Sequence, residues 1–112
     1  MPVFRDAENP GEQIEPGVTR KLVYLKNLMA AVLDFDNGPW AEPGKQHKHI
    51  HEQITYVVSG EIIFFCEGEE AQHLKAGDMF FVPSDKMHGI QLVSPTARLI
   101  DNFTPLREDF LK

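Results

Sequence analysis

From Val18 onward, apolar and polar positions alternate over short runs and show no sustained helical period. "VTRKLVYL", "LMAAVLDFD", "QITYVVSG", "EIIFFCEG", "EEAQHLKAG", "DMFFVP", "GIQLVS" and "ARLIDNF" follow one another with few gaps. A period of two sends successive side chains to opposite faces, the pattern of a strand with one buried side. The intervals carry turn chemistry: Asn37-Gly38-Pro39, Pro43-Gly44, Gly60, Gly68, Gly77-Asp78, Pro83-Ser84-Asp85 and Ser94-Pro95. Many short strands separated by turn signals predict an all-β domain, an antiparallel sandwich or barrel. "MAAVL" has a helical composition but is too short, and strand-like runs flank it. Residues 1–17 are rich in Pro, Gly and acid. They read as an irregular N-terminal arm with an edge strand at most, and residues 18–112 as the domain. The closing "PLREDFLK" predicts one helical turn that shuts an end of the barrel.

Composition narrows the class. A chain of 112 residues is one domain by size, and 42% hydrophobic residues with eight phenylalanines can bury a core without disulfides. Cys66 is the one cysteine, so no internal disulfide forms; its place in "IIFFC" predicts a buried, inert thiol. A net charge of -6 without clustered Lys or Arg excludes nucleic acid as the partner. It still admits an acidic small molecule, provided one local site is positive. No basic start leads into an apolar segment, and no apolar run nears membrane-spanning length. The expectation is a soluble, cytoplasmic protein with no membrane partner.

Three of the five histidines fall in "HKHIHEQ". Read as the opening of a strand, His47, His49, His51 and Gln53 share one side, and Lys48, Glu52 and Tyr56 take the other. Imidazoles at i and i+2 can converge on one ion, because neutral imidazole is the commonest protein metal ligand. Parity alone does not choose among the four residues. Later, "GDMFFVPSDKMHG" runs from a Gly-Asp turn through an apolar strand and a proline bend to His88. In the tail "RLIDNFTPLREDFL", alternation puts Leu99, Asp101 and Phe103 on one face. If that face looks inward, Asp101 is a desolvated acid with its pKa raised toward proton-transfer values. Equally, Asp101 can sit in a turn, with Arg107 in a surface pair with Glu108 or Asp109.

Together and in this order, the two histidine segments resemble the paired motifs of the cupin superfamily. His47, His49, Gln53 and Gly60 match the first motif, with Gln in place of its usual Glu. Gly77-Asp78, Pro83 and His88 are similar to the second, with Asp85 where a glycine is usual. The tail adds a closer resemblance, to the small pectin-degradation cupins of the KdgF type, running from about Val18 to Leu111. Its specific parts are "HEQITYVVSG" and "TPLREDFL"; Ile50 stands where such sequences often have proline.

The resemblance implies a jelly-roll barrel of two sheets holding one divalent transition metal (Ni, Mn, Fe, Co or Zn) through His47, His49, Gln53 and His88. It implies metal-dependent ring opening of 4,5-unsaturated uronate monosaccharides to a linear keto acid, with Asp101, Phe103 and Arg107 as the other active-site residues. His51 and His73 are expected at the surface or behind the ligands. A set without an anionic ligand leaves the ion both positive charges, which favours Lewis-acid work on an oxygen-rich anion. A dioxygenase or double-bond isomerase cupin would share the ligands without needing Asp101 and Arg107. A non-catalytic sugar-binding or sensor cupin is the reading from a different class. A homodimer is expected from sheet faces rich in Ile, Val and Phe.

Overall fold

The computed structural model describes residues 2–111. Each alternating run forms a strand. The strands are β1 (Glu12–Glu15), β2 (Val18–Tyr24), β3 (Met29–Phe35), β4 (Glu52–Ser59), β5 (Glu61–Cys66), β6 (Gln72–Lys75), β7 (Met79–Val82), β8 (His88–Leu92) and β9 (Ala97–Thr104). Two 3₁₀ turns, Asp6–Glu8 and Glu108–Leu111, are the helical elements among the described residues. Met1 and Lys112, which belong to the expected arm and closing turn, lie outside the described residues.

The strands form two sheets, one of six in the order β1-β2-β3-β9-β4-β7 and one of three in the order β6-β5-β8. The strand pairings are antiparallel throughout. Alternation sets which face is buried. In β4, Gln53, Thr55 and Val57 point inward while Glu52, Ile54 and Tyr56 face out. In β9, Ala97, Leu99, Asp101 and Phe103 share the inward face.

The main core lies between the sheets. Val18, Phe35, Val57, Phe80, Val82 and Leu99 of the large sheet meet Ile62, Phe64 and Leu92 of the small one. Phe64 stacks on Phe80 at 4.1 Å across the divide. Burying side chains of this size stabilises the fold by roughly 1.5–3 kcal/mol each. A second cluster of Met29, Ala31 and Phe103 is capped by Leu22, Leu106 and Phe110. The tail's last turn therefore closes that end, as its sequence predicts. Cys66 is a free thiol packed beside the main core and only half-buried, where full burial was expected.

Two of the connections between strands bear on the site. Gly60 turns β4 into β5 at φ 84°, and a Cβ there would collide with the Thr96 carbonyl oxygen. Only glycine meets both demands. Before β4, residues 38–47 run beside β8, with Trp40 N–H donating to Leu92 O, Gly44 N–H to Ile90 O, and His47 and His88 exchanging both backbone bonds. This irregular segment along β8 is what ties the first histidine segment to the second.

The edge strand allowed for in the arm forms as β1 against β2. Asp6 fastens the arm further, accepting from Lys21 Nζ at 2.7 Å and from Arg98, whose guanidinium also holds Asp34. The loop before β8 contains Asp85, the one non-glycine described residue with positive φ (63°). Its N–H donates to the His49 carbonyl at 2.8 Å, so this loop too is bound to the first histidine segment. Asp tolerates the left-handed region where branched side chains do not. Asp85→Val should lower stability by about 1–2 kcal/mol, and Asp85→Gly should not. Urea unfolding of the two variants checks this; an Asp85→Val protein as stable as the wild type would remove the backbone constraint.

Candidate metal centre and its cavity

The first histidine segment departs from the alternation read in the sequence. β4 begins at Glu52, so His47, His49 and His51 precede it in irregular backbone. The cause is where their backbone bonds go: His47 pairs with β8 and His49 accepts from the Asp85 loop, not from a flat ladder. The result is better convergence than a strand would give. The ring nitrogens of His47, His49 and His88 include a set lying within 4.8 Å of one another. The His88 ring lies 4.4 Å from that of His47, tilted to it, and edge-on to that of His49 at 4.9 Å, between centroids. His51 turns away, its Nε2 bonding the Leu106 carbonyl at 2.9 Å, and so helps hold the tail behind the site. His73 is exposed beside Glu61, remote from the cluster in sequence and partners.

The tautomers follow from the acceptors. His88 Nδ1 lies 2.8 Å from the Lys86 carbonyl and His49 Nδ1 lies 2.9 Å from the His51 carbonyl. A carbonyl only accepts, so each Nδ1 carries the proton and each Nε2 presents a lone pair. His88 Nε2 is buried with no partner among the described residues. His49 Nε2 faces Gln53 Oε1 at 3.1 Å. That amide is oriented by its other end, since Gln53 Nε2 donates to Thr55 Oγ1 at 2.9 Å and toward Asp101 Oδ1 at 3.4 Å. Two acceptors thus confront each other with no proton between them. A cation resolves both this and the orphaned His88 nitrogen, and metal–ligand bonds of about 2.1 Å permit such a spacing between neighbouring donors. The residues therefore suit a divalent metal. Burial pushes His88 down to about 4 against an ordinary 6.5, with the nearby imidazoles and Arg107 adding to it. Burial and Arg107 hold His47 and His49 down as well. Neutral rings are what a metal requires.

Asp101 occupies the inward position, not the turn. It is register partner to both Thr55 and Ala31, and Thr55 Oγ1 donates to its Oδ1. Burial raises its pKa to about 6; the Thr55 hydrogen bond, the Arg107 cation and Gln53 oppose that rise. Phe103 is buried under the histidines, edge-on to His49 at 5.7 Å, and lines the floor. Arg107 combines both sequence readings. It borders the cavity, 5.0 Å over Phe103, yet its Nε and Nη2 hold Asp109 at 3.2 and 3.0 Å.

His47, Gln53, His88, Asp101, Phe103 and Arg107 line one cavity of about 400 Å³. Sequence reasoning did not single out Thr55, Arg20, Lys45 or Trp40, the last three of which border it. Two had a signal: Thr55 and Arg20 are polar residues in the inward register of β4 and β2. Lys45 and Trp40 come from the irregular segment, where no periodicity speaks. Arg20, Lys45 and Arg107 against Glu15 and Asp101 make this a locally positive site in a chain of net charge -6. Such a cavity attracts anions.

Among the described residues no helix is long and apolar enough to cross a membrane. Residues 35–101 match the model of the cupin domain family. The chain is 38% identical over 110 residues to the pectin degradation protein KdgF of Dickeya dadantii (strain 3937), covering 96% of each. Among solved structures, KdgF from Halomonas sp. is 38% identical with a TM-score of 0.85, covering 96% of this chain and 97% of that one. An RmlC-like cupin from Shewanella frigidimarina NCIMB 400 is 37% identical with a TM-score of 0.84, covering 96% and 93%.

Asp101 links the cavity to stability. A carboxyl with a folded-state pKa of about 6, against 3.8 for the free group, binds its proton more tightly when folded. Folding is then favoured below about pH 4, and that advantage is lost as pH rises through about 6, a change of about 3 kcal/mol. In metal-stripped protein, Asp101→Asn should raise stability at pH 7 by up to that amount, and the gain should vanish below about pH 4. Urea unfolding at both pH values checks it. A variant no more stable at pH 7 would show that burial does not strain this carboxyl.

Proposed function

This chain is a cupin of the KdgF type, and from that premise we propose that it linearises 4,5-unsaturated uronate monosaccharides to an acyclic keto acid. The observation that carries the reading is a buried, raised-pKa carboxyl set beside three convergent imidazoles in a cation-lined cavity. It is an isomerisation: a proton leaves the anomeric hydroxyl, the bond from C1 to the ring oxygen breaks, and C4 gains a proton. Atoms balance without a nucleotide cofactor or a covalent nucleophile. Pectin or alginate breakdown supplies the substrate, and the enzyme acts in the cytoplasm.

We assign the metal ligands as His47, His49, Gln53 and His88. A divalent metal bound there supplies Lewis acidity toward the negative charge that develops on the ring oxygen. Asp101 moves the proton. Thr55 and Gln53 both bond its Oδ1, leaving Oδ2 to accept from the anomeric hydroxyl and to return the proton at C4. A pKa of about 6 suits both halves of that transfer. Arg107 holds the substrate anion near the histidines with the donors that Asp109 leaves free, and Phe103 excludes water from the floor. A dioxygenase would not need an acid and a guanidinium in the same cavity.

The substrate's conjugated acid absorbs in the ultraviolet, and its loss above the spontaneous rate measures turnover. Asp101→Asn should lower that rate by about 10²–10⁴-fold at unchanged metal content. Arg107→Lys should chiefly raise KM, because it keeps the charge but loses the planar fork. Alanine at His47, His49, Gln53 or His88 should lower metal occupancy in elemental analysis, with His51→Ala lowering it least. Near-normal turnover in Asp101→Asn would take the proton away from Asp101. Full occupancy in a His47→Ala/His49→Ala protein would remove the metal site.

A homodimer belongs to the same reading. Ile54, Tyr56 and Val58 on β4 lie exposed beside Met79 and Phe81 on β7, with Ile54 opposite Phe81 and Tyr56 opposite Met79. β7 is also an edge of the six-stranded sheet. A second copy would bury this apolar face and cover the edge. Light scattering at micromolar concentration should report a dimer, and Phe81→Glu should shift it toward monomer. A monomeric wild type would overturn the dimer.

A further inference from the structure

The inward row of β2 reads Val18, Arg20, Leu22, a guanidinium between two residues that pack in the cores. The Arg20 side chain is only 14% exposed. A cation so withdrawn from water costs stability unless something compensates it. Its contact with an anion is weak: Nη2 reaches Glu12 Oε1 at 3.5 Å, and Glu12 is 73% exposed on the edge strand β1. Arg107, by contrast, holds Asp109 with two donors. Both guanidiniums lie against the Phe110 ring, Arg20 at 4.0 Å and Arg107 at 4.2 Å. Two like charges on one ring, with Lys45 on the same cavity wall, call for an anion inside the cavity.

We propose that Arg20 binds the carboxylate of the sugar acid, and that Glu12 is the resting counter-ion it releases when substrate enters. This rests on the ring-opening reading and deepens it: the cavity selects a sugar acid over a neutral sugar through Arg20. Arg20 joins Arg107 on that carboxylate and brings more free donors to it, since Asp109 already takes the Nε and Nη2 edge of Arg107. The planar fork of Arg20 matches a carboxylate as lysine does not. Phe110 keeps the guanidinium in place, so the tail contributes to recognition as well as to closure. Arg20 is a binding residue here; it takes no proton.

Trp40 is the chain's one tryptophan and lines the same cavity, so its fluorescence reports occupancy independently of turnover. Metal-loaded protein is titrated with glucuronate, a saturated sugar acid, and with glucose, its neutral counterpart. Wild type should bind glucuronate and not glucose. Arg20→Gln should weaken glucuronate binding and raise KM by about 10–100-fold, with kcat changed much less and metal content unaltered. Arg20→Lys should fall between. Glu12→Gln should act in the opposite direction, tightening binding by up to about five-fold, as expected when an exposed competitor for Arg20 is removed. That opposite sign is not expected of an arginine that merely packs against Phe110, and it is measurable even if Arg20→Gln fails to fold. Equal glucuronate affinity in wild type and Arg20→Lys, with no gain in Glu12→Gln, would overturn the proposal. Failure of the wild type to speed loss of the unsaturated acid would instead overturn the ring-opening reading, while the glucuronate titration still judged Arg20.

Discussion

A chain of hydrogen bonds from Asp101 through Thr55 to Gln53, whose amide oxygen faces His49, is the constraint on which the site depends. Each link settles the next. The buried carboxyl accepts from the threonine hydroxyl, the hydroxyl accepts from the glutamine amide, and the amide oxygen is thereby aimed at an imidazole nitrogen. Buried polar groups are costly unless paired, so this chain admits few alternative rotamers. It ends on two facing lone pairs, which is a poor end for a protein alone and a suitable one for a cation. The neutral amide at position 53 belongs to the same logic. It can donate toward Asp101 with one end and offer an oxygen with the other, whereas a carboxylate beside Asp101 would set two acids against each other.

The rest of the fold holds that chain in register. Pairing of β4 with β9 sets Thr55 opposite Asp101, and pairing of β3 with β9 sets the small Ala31 there, leaving room for the carboxyl. The inter-sheet core adjoins these polar groups: Phe35, Phe80 and Leu99 line the same cavity as Gln53 and Asp101. The smaller cluster around Phe103 supports the histidines from below and is capped by the tail. The apolar residues that hold the two sheets together thus also form walls of the cavity beside the polar chain.

Charge is segregated. The arm's Asp6 and the sheet's Asp34 occupy Arg98 on the outside, while Arg20, Lys45 and Arg107 face the cavity. A chain that is acidic overall therefore offers an anion one favourable place to enter. Arg107 also helps keep the histidines neutral, acting on His47, His49 and His88 alike. A site that attracts an acid substrate and a site that keeps its imidazoles available to a metal are served by the same field.

By itself, the sequence determined the strands, because a period of two is local and each alternating run became a strand. It also determined which residues of β4 and β9 share a face, Gln53 with Thr55 and Asp101 with Leu99 and Phe103. It left open whether Asp101 looks inward or sits in a turn, and the strand pairing decided that. The motif order pointed to His47, His49 and His88 as a group, which the fold brings together. Other features depended on contacts between distant segments. The histidine stretch reads as the opening of a strand, but its backbone bonds go to β8 and to the Asp85 loop, so alternation fails there and His51 turns to the tail. Thr55 as the partner of Asp101, Asp109 as the partner of Arg107, and the meeting of Arg20 and Phe110 are likewise tertiary facts. Periodicity tells each residue which way to face; only the pairing of strands and the closure of the tail decide whom it meets.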